Sequence, residues 1–284
     1  MLYDTKHHQY DYVLALTKLN IPVHLIGATG TGKSTLVEQI ADELDLPFSA
    51  LPCTEATSMG SLLGFMTVTN EYATTPFREA VEHGHIFVLE ELTAMNKNAI
   101  LAINTLDNGW IQFPDKRVNV HPNFRLLATS NPVTAEYTGR STLDLSTKDR
   151  YQEVQMDLDS NLEQQTISAE VLAEVSLLRD YAETNSIAAP TVRQIKRIQQ
   201  ITDANIHPDP IMSIYDTESK ELRESITEYL VEHRAQIQAN LEQQAKEAEA
   251  KRIAAIKLAD LKAKPQSDMI TLAELYKKLE ADAS

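Results

Sequence analysis

The sequence predicts an α/β fold: a phosphate-loop core of strands and helices, then a small helical lid and a C-terminal helical extension. Three observations predict it. Gly27 and Gly32 bracket four residues and lead into Lys33 and Ser34, the spacing G-x-x-x-x-G-K-[ST], with an apolar run from Ile21 to Ile26 before the motif. Leu36, Val37, Ile40, Ala41 and Leu44 follow at helical spacing, so the motif sits between a strand and a helix as a phosphate cradle requires. Short apolar runs recur at 85–91 and 124–129, whereas from Leu162 onward the apolar residues keep a helical period.

Composition narrows the function classes. A net charge of -15 over 284 residues disfavours nucleic-acid binding, which rests on Lys and Arg neutralising phosphates. The single cysteine, Cys53, forms no internal disulfide, and no paired Cys/His spacing suggests zinc. The N-terminal residues show no signal-peptide core and no stretch approaches membrane-spanning length, so a cytoplasmic protein is expected.

Taken in order, Tyr10, Tyr12, Val13, Leu16 and Leu19 suggest a short amphipathic helix whose aromatics belong to the core, with contact to a nucleotide base as the alternative. The loop after the first strand needs Gly27, Gly30 and Gly32 for close backbone approach to phosphate, Lys33 for its charge and Ser34 for a hydroxyl to magnesium. F-S-A-L-P-C, 48–53, reads as a second strand, and Thr67, Val68 and Thr69 before Asn70 as half of a small hairpin; Pro76 opens another helix. In H-I-F-V-L-E-E, four apolar residues make a buried strand that delivers Glu90 toward magnesium and Glu91 toward an attacking water.

A helix through Ile100, Ile103 and Leu106 stops at Asn108-Gly109, and a hairpin bends at Pro114 to Lys116. The strand 124–129 then places Asn131 at its tip, where a carboxamide can hold water or a γ-phosphate. Arg140 and Arg150 come next. Phosphoryl transfer spreads charge over the γ-oxygens, which an arginine from a neighbouring subunit can neutralise. Val154, Met156 and Leu158 supply a last strand. Leu172, Val175, Leu178 and Tyr181 fit one helical face, and Pro190 starts another helix with Arg193 in its first turn. Thr217 to Lys264 contains no proline or glycine and reads as one long helix with only a partial heptad. Pro265 breaks it, and Thr271 with Glu274 caps a final short helix.

Taken together, G-A-T-G-T-G-K-S-T, F-V-L-E-E, A-T-S-N-P, K-D-R-Y and P-T-V-R resemble the AAA+ ATPases, and within them the MoxR/CbbQ group related to dynein-type modules, over residues from about 20 to 205. The resemblance implies a three-layer αβα core with a five-stranded parallel sheet over 1–159, a helical lid over 160–207 and an extension over 208–284. It places a helix-2 insert at about 64–75 and a pre-sensor hairpin at about 109–123.

It also implies that Gly27, Ala28, Thr29, Gly30, Thr31, Gly32, Lys33, Ser34 and Thr35 bind ATP, and that Ser34 and Glu90 serve Mg2+. Glu91 becomes the Walker B base, Asn131 sensor 1 and Arg193 sensor 2. Arg150 becomes the arginine finger acting in trans, with Arg140 competing for that role. Glu90 departs from the aspartate usual in the family, which implies a tuned rate. The implied assembly is a homo-hexameric ring that hydrolyses ATP to remodel or activate a protein client. Any von Willebrand A adaptor is a separate chain, because no D-x-S-x-S motif is present. A nucleotide-gated scaffold is the alternative, and a nucleic-acid motor or restriction-type GTPase a weaker one, since the M-N-T-A-D motif is absent.

Overall fold

A computed structural model describes residues 5–133, 143–187 and 189–263, with the side chains of the last helix up to 256. The chain divides into two compact units, Met1–Ser168 with Ala188–Ile214, and Ala169–Ile187 with Tyr215–Ser284.

The first unit runs α1 (Tyr10–Lys18), β1 (Val23–Ile26), α2 (Lys33–Leu44), β2 (Phe48–Pro52), α3 (Met59–Leu63), β3 (Phe65–Met66), β4 (Tyr72–Ala73), α4 (Pro76–His83), β5 (Ile86–Glu90) and α5 (Lys97–Ile103). It continues with β6 (Trp110–Gln112), β7 (Arg117–Asn119), β8 (Arg125–Ser130), α6 (Leu145–Lys148), β9 (Gln152–Gln155) and α7 (Ser160–Thr166). The second unit begins with α8 (Ala169–Asn185). The chain returns to the first for α9 (Val192–Ala204) and ends in the second with α10 (Lys220–Ala263).

Five strands form one parallel sheet in the order β2-β5-β8-β1-β9. A parallel sheet hides both faces of its inner strands, which is why β1, β5 and β8 carry apolar runs, whereas edge strand β9 buries only Val154. Successive residues nevertheless serve different cores. Phe87, Leu89, Leu126 and Ala128 join Phe77 of α4, Ile103 of α5 and Phe113 of the β6/β7 hairpin. Ile86, Val88, Leu127 and Leu25 join Tyr10 and Val13 of α1 with Leu36, Val37 and Ile40 of α2. From β1 the chain proceeds through α2 to the β2 edge, and from β8 it proceeds to the β9 edge. Chain reversal of this kind opens a crevice at the C-terminal ends of the two central strands.

Helix ends follow local chemistry. Thr75 caps α4 ahead of Pro76, and Gly84 ends it in the left-handed region. Thr191 and Gln194 form a reciprocal capping box on α9. Pro190 therefore precedes the N-cap and lies outside the helix. The small insert also differs from expectation. Thr67 to Asn70 are its turn, with Asn70 at φ 60, and the paired strands are Phe65–Met66 and Tyr72–Ala73. The turn wins because Thr67 Oγ1 accepts the Glu71 N–H at 3.1 Å, offering the backbone a local alternative to a ladder.

In the second unit α8 packs on α10 through Val171, Val175, Leu178 and Tyr181 against Ile226 and Leu230. Val171, not Leu172, completes that buried row. Arg234 of α10 bridges Glu174 at 2.9 Å. After Leu241 the described side chains of α10, a helix of 44 residues, are exposed. The proposed cap at Thr271 and Glu274 lies outside the described residues. Among those described, no helix is long and apolar enough to cross a membrane.

Candidate functional site

The loop after β1 is pinned to the neighbouring strand by its own backbone: the Gly27 N–H donates to the Ser130 carbonyl at 3.1 Å. A Cβ on Gly27 would stand 2.3 Å from the Met156 carbonyl oxygen, so the loop leaves the sheet at a point only glycine can occupy. Gly30, at φ +91, meets the first turn of α9: a Cβ there would lie 2.9 Å from the Arg193 amide nitrogen. The N-cap of α2 is Gly32, which has no capping side chain. The first N–H groups of that helix thus face the crevice as donors for an anion.

Lys33 folds its stem into the protein and holds its ammonium over the loop. Nζ donates to the carbonyls of Gly27 at 2.5 Å and Ala28 at 2.9 Å and to Asn131 Oδ1 at 3.0 Å. Asn131, only 5% exposed, turns its other end to Glu91, donating from Nδ2 to Oε1 at 3.0 Å. Its partners fix which way the amide faces, because a cation needs the oxygen and a carboxylate needs the N–H. One carboxamide therefore links the loop lysine to Glu91, the carboxylate just after β5. Glu91 itself sits at φ 56, a left-handed conformation that costs a non-glycine residue about 1 kcal/mol or more, and it turns the side chain off the strand axis.

The Ser34 hydroxyl donates to Glu90 Oε1 at 3.3 Å. This pair presents hard oxygen donors beside the loop, a donor set suited to Mg2+. Behind it, Cys53 donates its amide to the Glu90 carbonyl at 2.7 Å. Burial, reinforced by the charges of Glu90 and Glu91, pushes the Cys53 thiol up to about 12, so it stays protonated and inert.

Two adjoining cavities open here. The first, of about 580 Å³, is lined by Lys33, Ser34, Glu90, Glu91, Asn131 and Arg193, together with Thr129 and Lys196. The second, of about 570 Å³, shares Gly30, Gly32, Thr35 and Lys196 with it and is walled by His7, Leu36, Leu158, Leu162 and Val192. Lys196, one turn beyond Arg193, escaped the sequence reading although its i+3 spacing was a signal. The apolar cavity also escaped it, and its wall includes His7, just ahead of the N-terminal helix read as core. Among the described residues His7, His8 and Asp159 form a cluster with metal-ligand side chains. Their hydrogen bonds already engage them: His7 accepts the Gln9 N–H and pairs with the Asp157 carbonyl, and Asp159 caps α7 and accepts from His8.

Arg150 lies elsewhere. It precedes β9, and with Asn20, Pro22 and Phe124, which precede their own strands, it lines a cavity of about 200 Å³ at the opposite end of the sheet. Its Nε donates to Asp107 at 2.8 Å and a terminal nitrogen donates to the Ser146 carbonyl. The structure gathers Lys33, Ser34, Glu90, Glu91, Asn131 and Arg193 at one crevice and leaves Arg150 apart from them. Arg140 lies outside the described residues.

Residues 22–151 match the family model for an AAA domain of the dynein-related subfamily. An uncharacterized protein of Staphylococcus saprophyticus is 28% identical over 158 residues, which are 50% of this chain and 58% of that one. A Staphylococcus aureus protein, also uncharacterized, is 27% identical over 179 residues, covering 58% of this chain and 65% of its own. Midasin of Dictyostelium discoideum is 31% identical over 145 residues, 48% of this chain and 2% of midasin. The chain thus spans less than two thirds of the length of the curated relatives it matches. Among solved structures, a candidate ATPase of Cytophaga hutchinsonii aligns over 81% of this chain and 91% of its own at a TM-score of 0.48 and 16% identity. NtrX of Brucella abortus with ADP aligns over 68% of this chain and 49% of its own at 0.46 and 17%.

Proposed function

We propose that the dynein-related AAA domain at residues 22–151 makes this chain a Mg-dependent ATPase of the MoxR-like kind, working as a homo-hexameric ring that remodels or activates a protein client. In this reading the nine residues from Gly27 to Thr35 hold the triphosphate, Lys33 sets its charge against the β/γ oxygens, and the base enters the cavity beside Leu36 and Val192. Ser34 and Glu90 would hold Mg2+, which would neutralise phosphate charge there. Glu91 takes the proton from the attacking water and Asn131 keeps that carboxylate aimed. Arg193, on the helix that touches Gly30, faces the γ-phosphate from the same subunit.

Arg150 serves the next subunit. Its place at the far end of the sheet gives it no phosphate within its own chain, and a head-to-tail ring is the assembly that gives it one. Arg140 remains the competing finger. A separate von Willebrand A adaptor fits the same reading. The observation that carries the proposal is the Lys33–Asn131–Glu91 chain of contacts at the open end of the sheet.

A second reading, a slow nucleotide-gated assembly scaffold, draws on Glu90, whose longer side chain reaches the Ser34 hydroxyl directly and so competes for the metal position. Steady-state turnover of wild type and Glu91→Gln, with Mg·ATP affinity measured alongside, separates the two. The ATPase reading expects turnover lost with affinity kept, and equal rates would refute it. Affinity capture with Glu91→Gln then identifies the client.

A further inference from the structure

His24 occupies the middle of β1 at 1% exposure, in a sheet whose interior otherwise calls for apolar side chains. A buried imidazole is costly unless its nitrogens are paired. Nε2 lies 2.7 Å from Ser130 Oγ, whereas Nδ1 has no hydrogen-bond partner and faces Glu153 Oε1 at 3.9 Å. That surrounding selects the tautomer. A bare Nδ1 lone pair would be repelled by the Glu153 carboxylate and an Nδ1–H would be attracted to it, so the proton belongs on Nδ1 and Nε2 accepts the Ser130 O–H. The ring stays neutral: Tyr151 packs beside it at a centroid distance of 6.0 Å and an interplanar angle of 64°, and burial together with the positive charge of Lys148 disfavours the imidazolium.

Ser130 is a critical point to hold. It is the last residue of β8, its carbonyl receives the Gly27 N–H, and the next residue is Asn131. A strand end running into Pro132 has no further ladder to fix its rotation, and a side-chain bond from the adjacent strand supplies what the backbone lacks.

We infer that His24 is a positioning residue: by accepting the Ser130 hydroxyl it sets the end of β8 and thereby the Asn131 carboxamide between Lys33 and Glu91. The inference rests on the role given to Asn131 above. It adds a contact three residues ahead of the phosphate loop that ties the loop strand to the sensor strand from beneath.

The test uses the full chain as wild type, Ser130→Ala, His24→Leu, the double variant and His24→Gln, whose side-chain oxygen can accept the same hydroxyl. Imidazole 15N shifts should report the Nδ1–H tautomer in wild type. Ser130→Ala and His24→Leu should each speed amide exchange over residues 129–131 about tenfold and lower kcat about tenfold, with Mg·ATP affinity within about twofold. The double variant should be no worse than either single one, and His24→Gln should recover most of the loss. Unchanged exchange and turnover in both single variants, additive losses in the double, or an Nε2–H tautomer would each overturn the inference. Failure of wild type to bind Mg·ATP would instead refute the ATPase reading, and the exchange and tautomer data would still decide the role of His24.

Discussion

Truncating Asn131 to alanine removes two contacts at once, the 3.0 Å bond from Lys33 and the 3.0 Å bond to Glu91. Hydrogen bonds to charged groups contribute about 1.5–3 kcal/mol each, and the half that orients Glu91 matters most as the carboxylate takes a proton. An increase of about 2–3 kcal/mol in the barrier corresponds to a roughly 30- to 150-fold fall in kcat. Lys33 keeps its two carbonyl partners, so the affinity for Mg·ATP should move by less than about threefold. Asn131→Asp should be worse than alanine, because it sets a second negative charge against Glu91 while retaining the shape. Steady-state ATPase assays with a fluorescent-nucleotide titration measure both quantities. A kcat within twofold of wild type for Asn131→Ala, or a loss carried wholly by affinity, would refute the reasoning.

Arg150→Ala and Glu91→Gln should each abolish turnover alone. Equimolar mixing should restore about a quarter of the wild-type rate, because a random ring joins an intact Glu91 to an intact neighbouring Arg150 at one interface in four; no recovery after subunit exchange would exclude action in trans. Arg78, with its guanidinium 4.4 Å from the Tyr72 ring and 4.9 Å from Phe113 and bonded to Asp115 and Glu82, joins both hairpins to α4. Arg78→Ala should cost about 3 kcal/mol in urea unfolding, and a change below about 0.5 kcal/mol would show that the cluster is only solvated charge. His24 is held at about 4, against an ordinary 6.5, first by burial and then by Lys148. Because the folded value is the lower one, the unfolded chain binds more protons below pH 6.5, and stability present at neutral pH is lost as pH falls toward 4. The loss amounts to about 3 kcal/mol. Thermal unfolding of wild type against His24→Gln between pH 7 and 4 isolates it, and parallel profiles would contradict the assignment.

What was legible in the sequence was whatever depends on neighbours along the chain. The runs at 21–26, 85–91 and 124–129 marked the strands seen at Val23–Ile26, Ile86–Glu90 and Arg125–Ser130, and the polar residues at their ends marked the crevice. The loop motif was legible from its spacing together with the apolar run before it and the helical period after it. The insert was misread because β-branched Thr67, Val68 and Thr69 carry strand propensity, while hydrogen bonds among Thr67, Thr69 and Glu71 hold them as a turn and leave Val68 in solvent. The apolar cavity was invisible because His7, Leu36, Leu158 and Val192 meet only through the fold. The left-handed backbone of Glu91 had no local signal either, since nothing in L-E-E-L demands it. Likewise, His24 reads as an oddity in a strand until Ser130, remote in sequence, is brought to its ring.

Gly30 and the start of α9 approach closely enough that a single added methyl would lie 2.9 Å from the Arg193 amide nitrogen. In the proposed ATPase, a loop backbone that moves toward α9 as nucleotide binds would press on the Arg193 amide. Occupancy at the phosphate end of that ATPase would then be passed to a helix, a mechanical gauge of loading that depends on a residue with no side chain.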